Sequence, residues 1–272
     1  MTFSVLMSVY HKENPVFLKD CLESIANQSV APGEIVLVED GPISKELNNV
    51  IENHRDNLPI VSLRLEHNVG LGEALNQGLH ICKFEKVARM DADDLCCFDR
   101  FEKQLRYMEE HPDIDVLGGA IEEFEEDFQA PHALRVLPSG VDKVASFARS
   151  RCPVNHMTVM FNKSAILTAG GYQSFIGLED YYLWARLLNR GCRMDNMQDV
   201  LVKARVGNGM LARRRGWKYF KQDVKLQKRF MDIGFIDLKT FLLNLVKRAP
   251  ARLMPEAMLG FVYKKFLRKK PK

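Results

Sequence analysis

Residues 86–94 read Lys-Val-Ala-Arg-Met-Asp-Ala-Asp-Asp, a short apolar run that empties into three carboxylates within four residues. A run of this length is too short for a stable helix and suits a strand buried on both faces. Carboxylates packed this closely repel one another unless a cation or hydrogen-bond donors offset them. Asp91 and Asp93 fall near each other as the chain turns, so they are candidates to share a divalent ion that also grips a diphosphate. Taken alone, the tetrad fits an acidic turn before the next helix equally well.

Working outward, the same pattern repeats three times upstream. Phe3–Val9, Ile35–Val38 and Ile60–Leu65 are compact apolar runs, each followed by a helical stretch: from Pro15, from about Ser44 and from about Leu71. Downstream, Phe101, Leu105 and Met108 mark a helical stripe that Pro112 ends. Strand–helix alternation predicts an α/β fold with a mostly parallel sheet and right-handed crossovers. Ligands of such sheets gather at the carboxyl ends of the strands. The polar residues there are His11, then Asp40-Gly41, then His67-Asn68, then the acidic tetrad. A carboxylate at Asp40 can accept from a polar N–H, although Asp-Gly-Pro is also ordinary turn chemistry. Asn68-Val69-Gly70-Leu71-Gly72 can bring backbone close to a ligand, but it lacks the third glycine of the dinucleotide fingerprint.

Past Asp115 the rhythm changes. Val116–Phe124 and Val159–Phe161 read as strands, Tyr181–Asn189 as a helix capped by Gly191, residues 215–246 as helical and 251–268 as amphipathic. Asp180 by itself reads as a helix N-cap. His156, in Pro-Val-Asn-His-Met-Thr, is a lone histidine of structural or ligand-contacting type. The histidines form no zinc pair, and neither a serine-hydrolase elbow nor a phosphate-binding P-loop occurs. A nucleotidyltransferase would carry a glycine-rich loop after the first strand, where Ser8-Val9-Tyr10-His11-Lys12 stands instead.

Together these pieces resemble the family 2 glycosyltransferases. The resemblance lies in SVLMSVYHKE (4–13), PGEIVLVEDG (32–41), HNVGLGEALNQG (67–78), RMDADDLCCFDRFEKQ (89–104), GGY (170–172) and LEDYYLW (178–184). It implies a GT-A fold, a mostly parallel Rossmann-like sheet flanked by helices with a C-terminal helical extension. It also implies an inverting transfer of one hexose, glucose or galactose, from a UDP-sugar to a polyprenyl-diphosphate-linked sugar. The bacterial O-antigen and exopolysaccharide members, amylovoran-type transferases among them, are the most similar. A thymidine-diphosphate deoxyhexose donor or a non-catalytic relative stands as the alternative.

By the same resemblance, Ser8, Asp40, Asn68, Gly70 and Asp91 are expected to bind donor. Asp93, with Asp91, is expected to hold Mn²⁺ or Mg²⁺. Asp180 is expected to be the base, with Glu179 its neighbour and alternative. His156 is expected to meet the acceptor or diphosphate. Separately, the charge developing on a departing diphosphate calls for cations, so Arg213 and Arg214, with Arg215, are expected to face it from a loop hinged at Gly207 and Gly209, a solvated basic face being the alternative. No QxxRW pattern of processive synthases occurs, which favours single addition. The expected organisation is a catalytic domain over 1–205, with 1–114 for donor and 115–205 for acceptor, followed by a basic arginine loop and amphipathic helices over 206–272.

Charge supports a division of this kind. Residues 203–272 carry 20 Lys and Arg against 4 Asp and Glu, a net of +16, whereas residues 1–202 carry 19 against 31, a net of −12. Such a split disfavours a nucleic-acid domain with basic charge spread throughout. The segment 247–272 interleaves nine cations with apolar residues and suits an anionic bilayer surface. A helix packed on the domain with a solvated face would show the same pattern. No run of 18 uncharged apolar residues is present. The start lacks a basic leader pattern, and the six cysteines lack framework spacing. The expected location is cytoplasmic, peripheral on the inner face of the membrane.

Overall fold

In β1 (Phe3–Val9) side chains alternate between two apolar layers, Phe3, Val5, Met7 and Val9 on one face and Leu6 on the other. That two-sided burial is why a continuous apolar run, rather than an alternating one, encodes this strand. The computed structural model describes residues 1–173, 175, 177–207 and 216–253.

Strands β2 (Glu34–Glu39), β3 (Ile60–Arg64) and β4 (Lys86–Arg89) join β1 in parallel, in the order β3-β2-β1-β4. The intervening helices are α1 (Pro15–Ala26), α2 (Lys45–His54) and α3 (Leu71–Ile81). Asn14 and Ser44 cap the first two through their side chains, and Pro15 opens α1 where its missing N–H costs nothing. Parallel pairing places the residues after β1, β2, β3 and β4 on one edge of the sheet, as the sequence predicts.

The sheet continues through β8 (Met160–Asn162), antiparallel to both neighbours, to β6 (Val116–Phe124), β9 (Met194–Arg205) and the two-residue β5 (Leu95–Cys96). A short β7 (Ala133–Arg135) pairs with β6 off this path. Helix α4 (Arg100–Glu110) covers the face shared by α1 and α2. On the other face lie α3, α6 (Lys163–Thr168) and α7 (Glu179–Asn189), with Trp184 fully buried among them. Helix α5 (Val141–Ala148) leads into a turn of 3-10 helix at His156–Thr158.

Two differences from the sequence reading stand out. The 12-residue β9 was not expected, because Asn196-Met197-Gln198-Asp199 interrupts its apolar pattern where its register against β6 shifts. The register shift begins at Gly118, beside Gly119. A Cβ there would fall 2.4 Å from Asn196 Oδ1 or 2.3 Å from Leu201 Cδ1. The helical stretch expected over 215–246 is two helices, α8 (Gly216–Asp232) and α9 (Leu238–Leu253). Gly234 turns the chain at φ 74°, and Asp237 accepts from Thr240 N to start α9. These helices pack on the outer side of α7 through Leu226, Phe230, Phe235 and Ile236 against Leu178, Tyr181 and Ala185. The amphipathic stretch expected beyond Leu253 lies outside the described residues.

Candidate active site

The acidic tetrad leaves β4 at the edge where β1 and β2 also end. Beneath it sits Arg89, 1% exposed, whose guanidinium pairs with the Asp91 carboxylate. Two further backbone ties fix the turn: Cys21 Sγ donates to Asp91 O at 3.2 Å, and Arg205 Nε to Asp93 O at 3.3 Å. Asp94 is buried and accepts from Arg205 N at 2.8 Å. The third carboxylate of the motif therefore anchors β9, while Asp91 answers Arg89 and Asp93 keeps its carboxylate outside these ties.

Negative charge is under-compensated here. Burial, and then the Asp91 carboxylate, push the Asp93 carboxyl up to about 6. Glu13, just before α1, is pushed to about 7 by burial, with Asp93 and Asp91 adding to the rise. Glu13 and Arg205 were missed in the sequence. Glu13 looks like an ordinary residue before a helix, and Arg205 reaches the tetrad only through a strand that was not foreseen.

A divalent cation would offset this imbalance. Mg²⁺ and Mn²⁺ suit oxygen ligands, and Mg²⁺ is usually bound through one or two carboxylates, with waters and substrate phosphates completing the shell. Asp91, 29% exposed in its side chain, and half-buried Asp93 make such a partial set. Among the described residues no group of three ligand-type side chains closes a cage. The donor chemistry fits an ion whose shell is finished by the substrate.

Around the edge, Asp40 is buried, and its carboxylate organises the next loop. Oδ1 accepts from Val69 N at 2.7 Å, while Oδ2 accepts from Gly70 N at 3.1 Å and Asn68 Nδ2 at 2.9 Å. The residue therefore shapes this loop. Gly70 precedes α3 at φ 88°, a conformation L side chains rarely adopt. Ser8 is half-buried on β1, beside Val38 of β2.

The opposite wall is the start of α7. Glu179 lies against α3, where a Cβ on Gly72 would come within 2.9 Å of its Cγ. Burial raises its carboxyl, and the neighbouring Asp180 charge adds to the rise. Asp180 Oδ1 accepts from Tyr181 N at 2.7 Å, and Cys152 Sγ stands 3.5 Å from its Oδ2. Asp180 is not the N-cap read from the sequence: Leu178 holds that position, and Asp180 lies in the first turn of α7, half-buried, its charge bearing on Tyr172 of the Gly-Gly-Tyr turn.

Tyr172 connects the two walls. Its hydroxyl is 2.9 Å from His156 Nε2, and the charges of Arg89, Asp180 and Asp91 all bear on it. The His156 ring also stacks edge-on to Trp184 at 5.9 Å. Desolvation, and then the Arg89 charge, hold its imidazole well below the usual range. Its Nε2 is engaged with the Tyr172 hydroxyl. Arg213, Arg214 and Arg215, and the hinge expected at Gly209, lie outside the described residues.

Comparison with known proteins follows this geometry. The model of the glycosyl transferase family 2 matches residues 4–170. The amylovoran biosynthesis glycosyltransferase AmsE of Erwinia amylovora is 44% identical over 97% of this chain and 98% of its own. An Escherichia coli UDP-Gal:α-D-GlcNAc-diphosphoundecaprenol β-1,3-galactosyltransferase is 39% identical over 98% and 97%. Among solved structures, S. aureus TarS 1–349 in complex with UDP-GlcNAc superposes with a TM-score of 0.71 over 98% of this chain and 77% of that one, at 18% identity. That last likeness speaks for the GT-A fold alone. A family model over more than half of the chain, with relatives 44% and 39% identical over nearly all of it, makes the chain a family 2 glycosyltransferase.

Proposed function

We propose that the protein transfers a single hexose, with inversion, from a UDP-sugar to a polyprenyl-diphosphate-linked sugar during cell-surface polysaccharide synthesis. The observation that carries this reading is that Asp91 at the sheet edge, with Asp93 beside it, and Asp180 at the start of α7 both bear on Tyr172. The full-length relative that uses UDP-Gal and a GlcNAc-diphosphoundecaprenol acceptor supports the choice of substrates.

Inversion needs one carboxylate to take the acceptor hydroxyl's proton as the hydroxyl attacks the anomeric carbon. Asp180 is assigned that role, with Glu179 beside it, its carboxyl raised by burial, as the alternative. Residues 1–114 hold the donor in this reading and 115–205 the acceptor. Asp40 is assigned to the imide N–H of the base. Asn68 and Gly70 bring backbone to the nucleotide, and Ser8 lies beneath it. Asp91 and Asp93 would hold a divalent cation, Mn²⁺ or Mg²⁺, which when bound offsets the charge developing on the departing diphosphate. Arg213 and Arg214 are assigned to the same diphosphate. His156, through Tyr172, fixes the acceptor side.

An acceptor on a lipid asks for a protein at the membrane surface. Among the described residues no helix is long and apolar enough to cross one. The C-terminal helix pair instead exposes Leu238, Leu242 and Val246 in one row on α9, with Trp217 on α8. Exposed Lys218, Lys221, Lys225 and Lys228 mark one face of α8. We assign this pair to an anionic cytoplasmic leaflet.

The test is a donor screen by nucleoside diphosphate release, with a lipid-diphosphate-GlcNAc analogue and with Mn²⁺, Mg²⁺ or chelator. UDP-hexose turnover that needs both acceptor and cation is expected. Turnover with thymidine-diphosphate donors alone, or undiminished activity in chelator, overturns the donor or the metal assignment respectively.

A further inference from the structure

The three carbonyls that end α5 and follow it are each held by a side chain from another element. Tyr181 hydroxyl donates to Ala148 O at 2.7 Å, Asn244 Nδ2 to Arg149 O at 2.8 Å, and Arg248 Nη2 to Ser150 O at 2.6 Å. Asn244 and Arg248 both belong to α9. Asn244 is itself fixed by Gln227 Oε1 of α8 at 2.8 Å, and Arg248 by Asp223 Oδ1 of α8 at 2.5 Å. The Arg248–Asp223 pair is desolvated, with side chains 14% and 1% exposed. Its fork reaches Tyr181 hydroxyl as well, at 3.4 Å. Two residues beyond Ser150 comes Cys152, whose Sγ lies 3.5 Å from both Asp180 Oδ2 and Val154 O, the charged carboxylate being the stronger acceptor for its one proton.

A buried ion pair is weak evidence of stability, because desolvation of both charges offsets much of their attraction. Its value here is geometric: a planar guanidinium fixes several acceptors at once, where an ammonium acts as a point charge. The acceptors it fixes are the hydroxyl of the residue next to Asp180 and the carbonyl two residues before Cys152. Oδ1 of Asp180 is already set by the backbone of its own helix, so Oδ2 is the oxygen whose direction a neighbour can decide.

We propose that Cys152 is a positioning residue whose thiol holds Asp180 Oδ2, and that the C-terminal helix pair sets Cys152 in place through Arg248 and Asn244. Burial, reinforced by the Asp180 charge, pushes the Cys152 thiol well above its usual range, so it stays protonated and donates. The inference rests on the reading of Asp180 as the base. It gives the C-terminal helices a part in catalysis distinct from docking.

Four variants of the full chain, Cys152→Ala, Cys152→Ser, Arg248→Lys and Asp180→Asn, decide the matter in steady-state kinetics. Cys152→Ala is expected to lower kcat about ten-fold, the loss of one hydrogen bond to a charged group, with donor KM unchanged. Cys152→Ser keeps a donor and is expected to recover most of kcat. Arg248→Lys keeps a cation opposite Asp223, so the fold is retained, but one ammonium cannot span the three acceptors. It is expected to lower kcat with donor KM unchanged. Wild-type kcat in Cys152→Ala, no recovery in Cys152→Ser, or wild-type kcat in Arg248→Lys overturns the proposal. If Asp180→Asn retains turnover, the base assignment fails instead. If it abolishes turnover while the other three variants run as wild type, only the positioning role fails.

Discussion

Asp93 is where the chemistry of the site shows most directly in a single side chain. Its carboxyl is raised from 3.8 to about 6 by burial and by Asp91, so folding favours the protonated form. A raised carboxyl contributes fully below its unfolded value, and that contribution is lost as pH rises through the folded one. Above about pH 6 the native state therefore carries an uncompensated carboxylate that a cation or an amide can relieve. Asp93→Asn is expected to melt above wild type near pH 8, by a margin that shrinks toward pH 5, and to lose transfer. Adding Mn²⁺ near pH 8 is expected to raise the melting temperature of wild type and not of the variant. Thermal melts across this range check both. The opposite sign applies to His156, whose folded imidazole is depressed. Below about pH 6.5 the unfolded chain takes up a proton that the fold refuses, so stability falls by up to about 1.4 kcal/mol per pH unit from this group. A His156→Gln variant is expected to flatten that slope in denaturant titrations.

At the scale of elements, the sheet edge was legible because four apolar runs each end in polar residues, and parallel pairing brings those ends together. The part beyond Asp115 was less so. Strand β9 hides behind polar residues at its register shift, and β5 is two residues long, too short for periodicity to mark. With them went Arg205, which no local pattern distinguishes. The break between α8 and α9 was readable, since Gly234 and Asp237 are stop and start signals; the amphipathic pattern on either side masked them. Asp180 could be assigned only by resemblance, because a helix-start carboxylate looks the same whether it caps or catalyses. Packing between elements gives its own prediction at Gly78, where α3 crosses the sheet. A Cβ there would lie 2.6 Å from both Leu6 Cδ1 and Val38 Cγ2. Alanine gains up to about 1 kcal/mol of helix propensity, but overpacking a filled core costs about 1–3. Gly78→Ala is expected to unfold at lower denaturant concentration than wild type.

For the whole molecule, the −12 body and the +16 C-terminal quarter separate two tasks. In the proposed reading Asp91, Asp93 and Asp180 serve metal and base, and the cations of the C-terminal quarter include those on the helix pair packed against α7. That pair faces outward with Leu242 and Val246, 52% and 72% exposed. Each surface cation contributes about 1 kcal/mol toward an anionic bilayer, within a Debye length. The full chain is expected to sediment with phosphatidylglycerol vesicles at low salt, and a Leu242→Glu/Val246→Glu double variant to stay in solution. Equal sedimentation of both, or none by wild type, removes the membrane assignment and leaves the transferase standing. The central claim is that Asp180 removes the acceptor's proton opposite a donor held at Asp91 and Asp93. UDP release by Asp180→Asn, measured with saturating donor and lipid-diphosphate-GlcNAc acceptor beside a donor-binding isotherm, tests it most directly. The expected result is turnover lowered about 10²–10⁴-fold with donor affinity unchanged; turnover within a few-fold of wild type would contradict it.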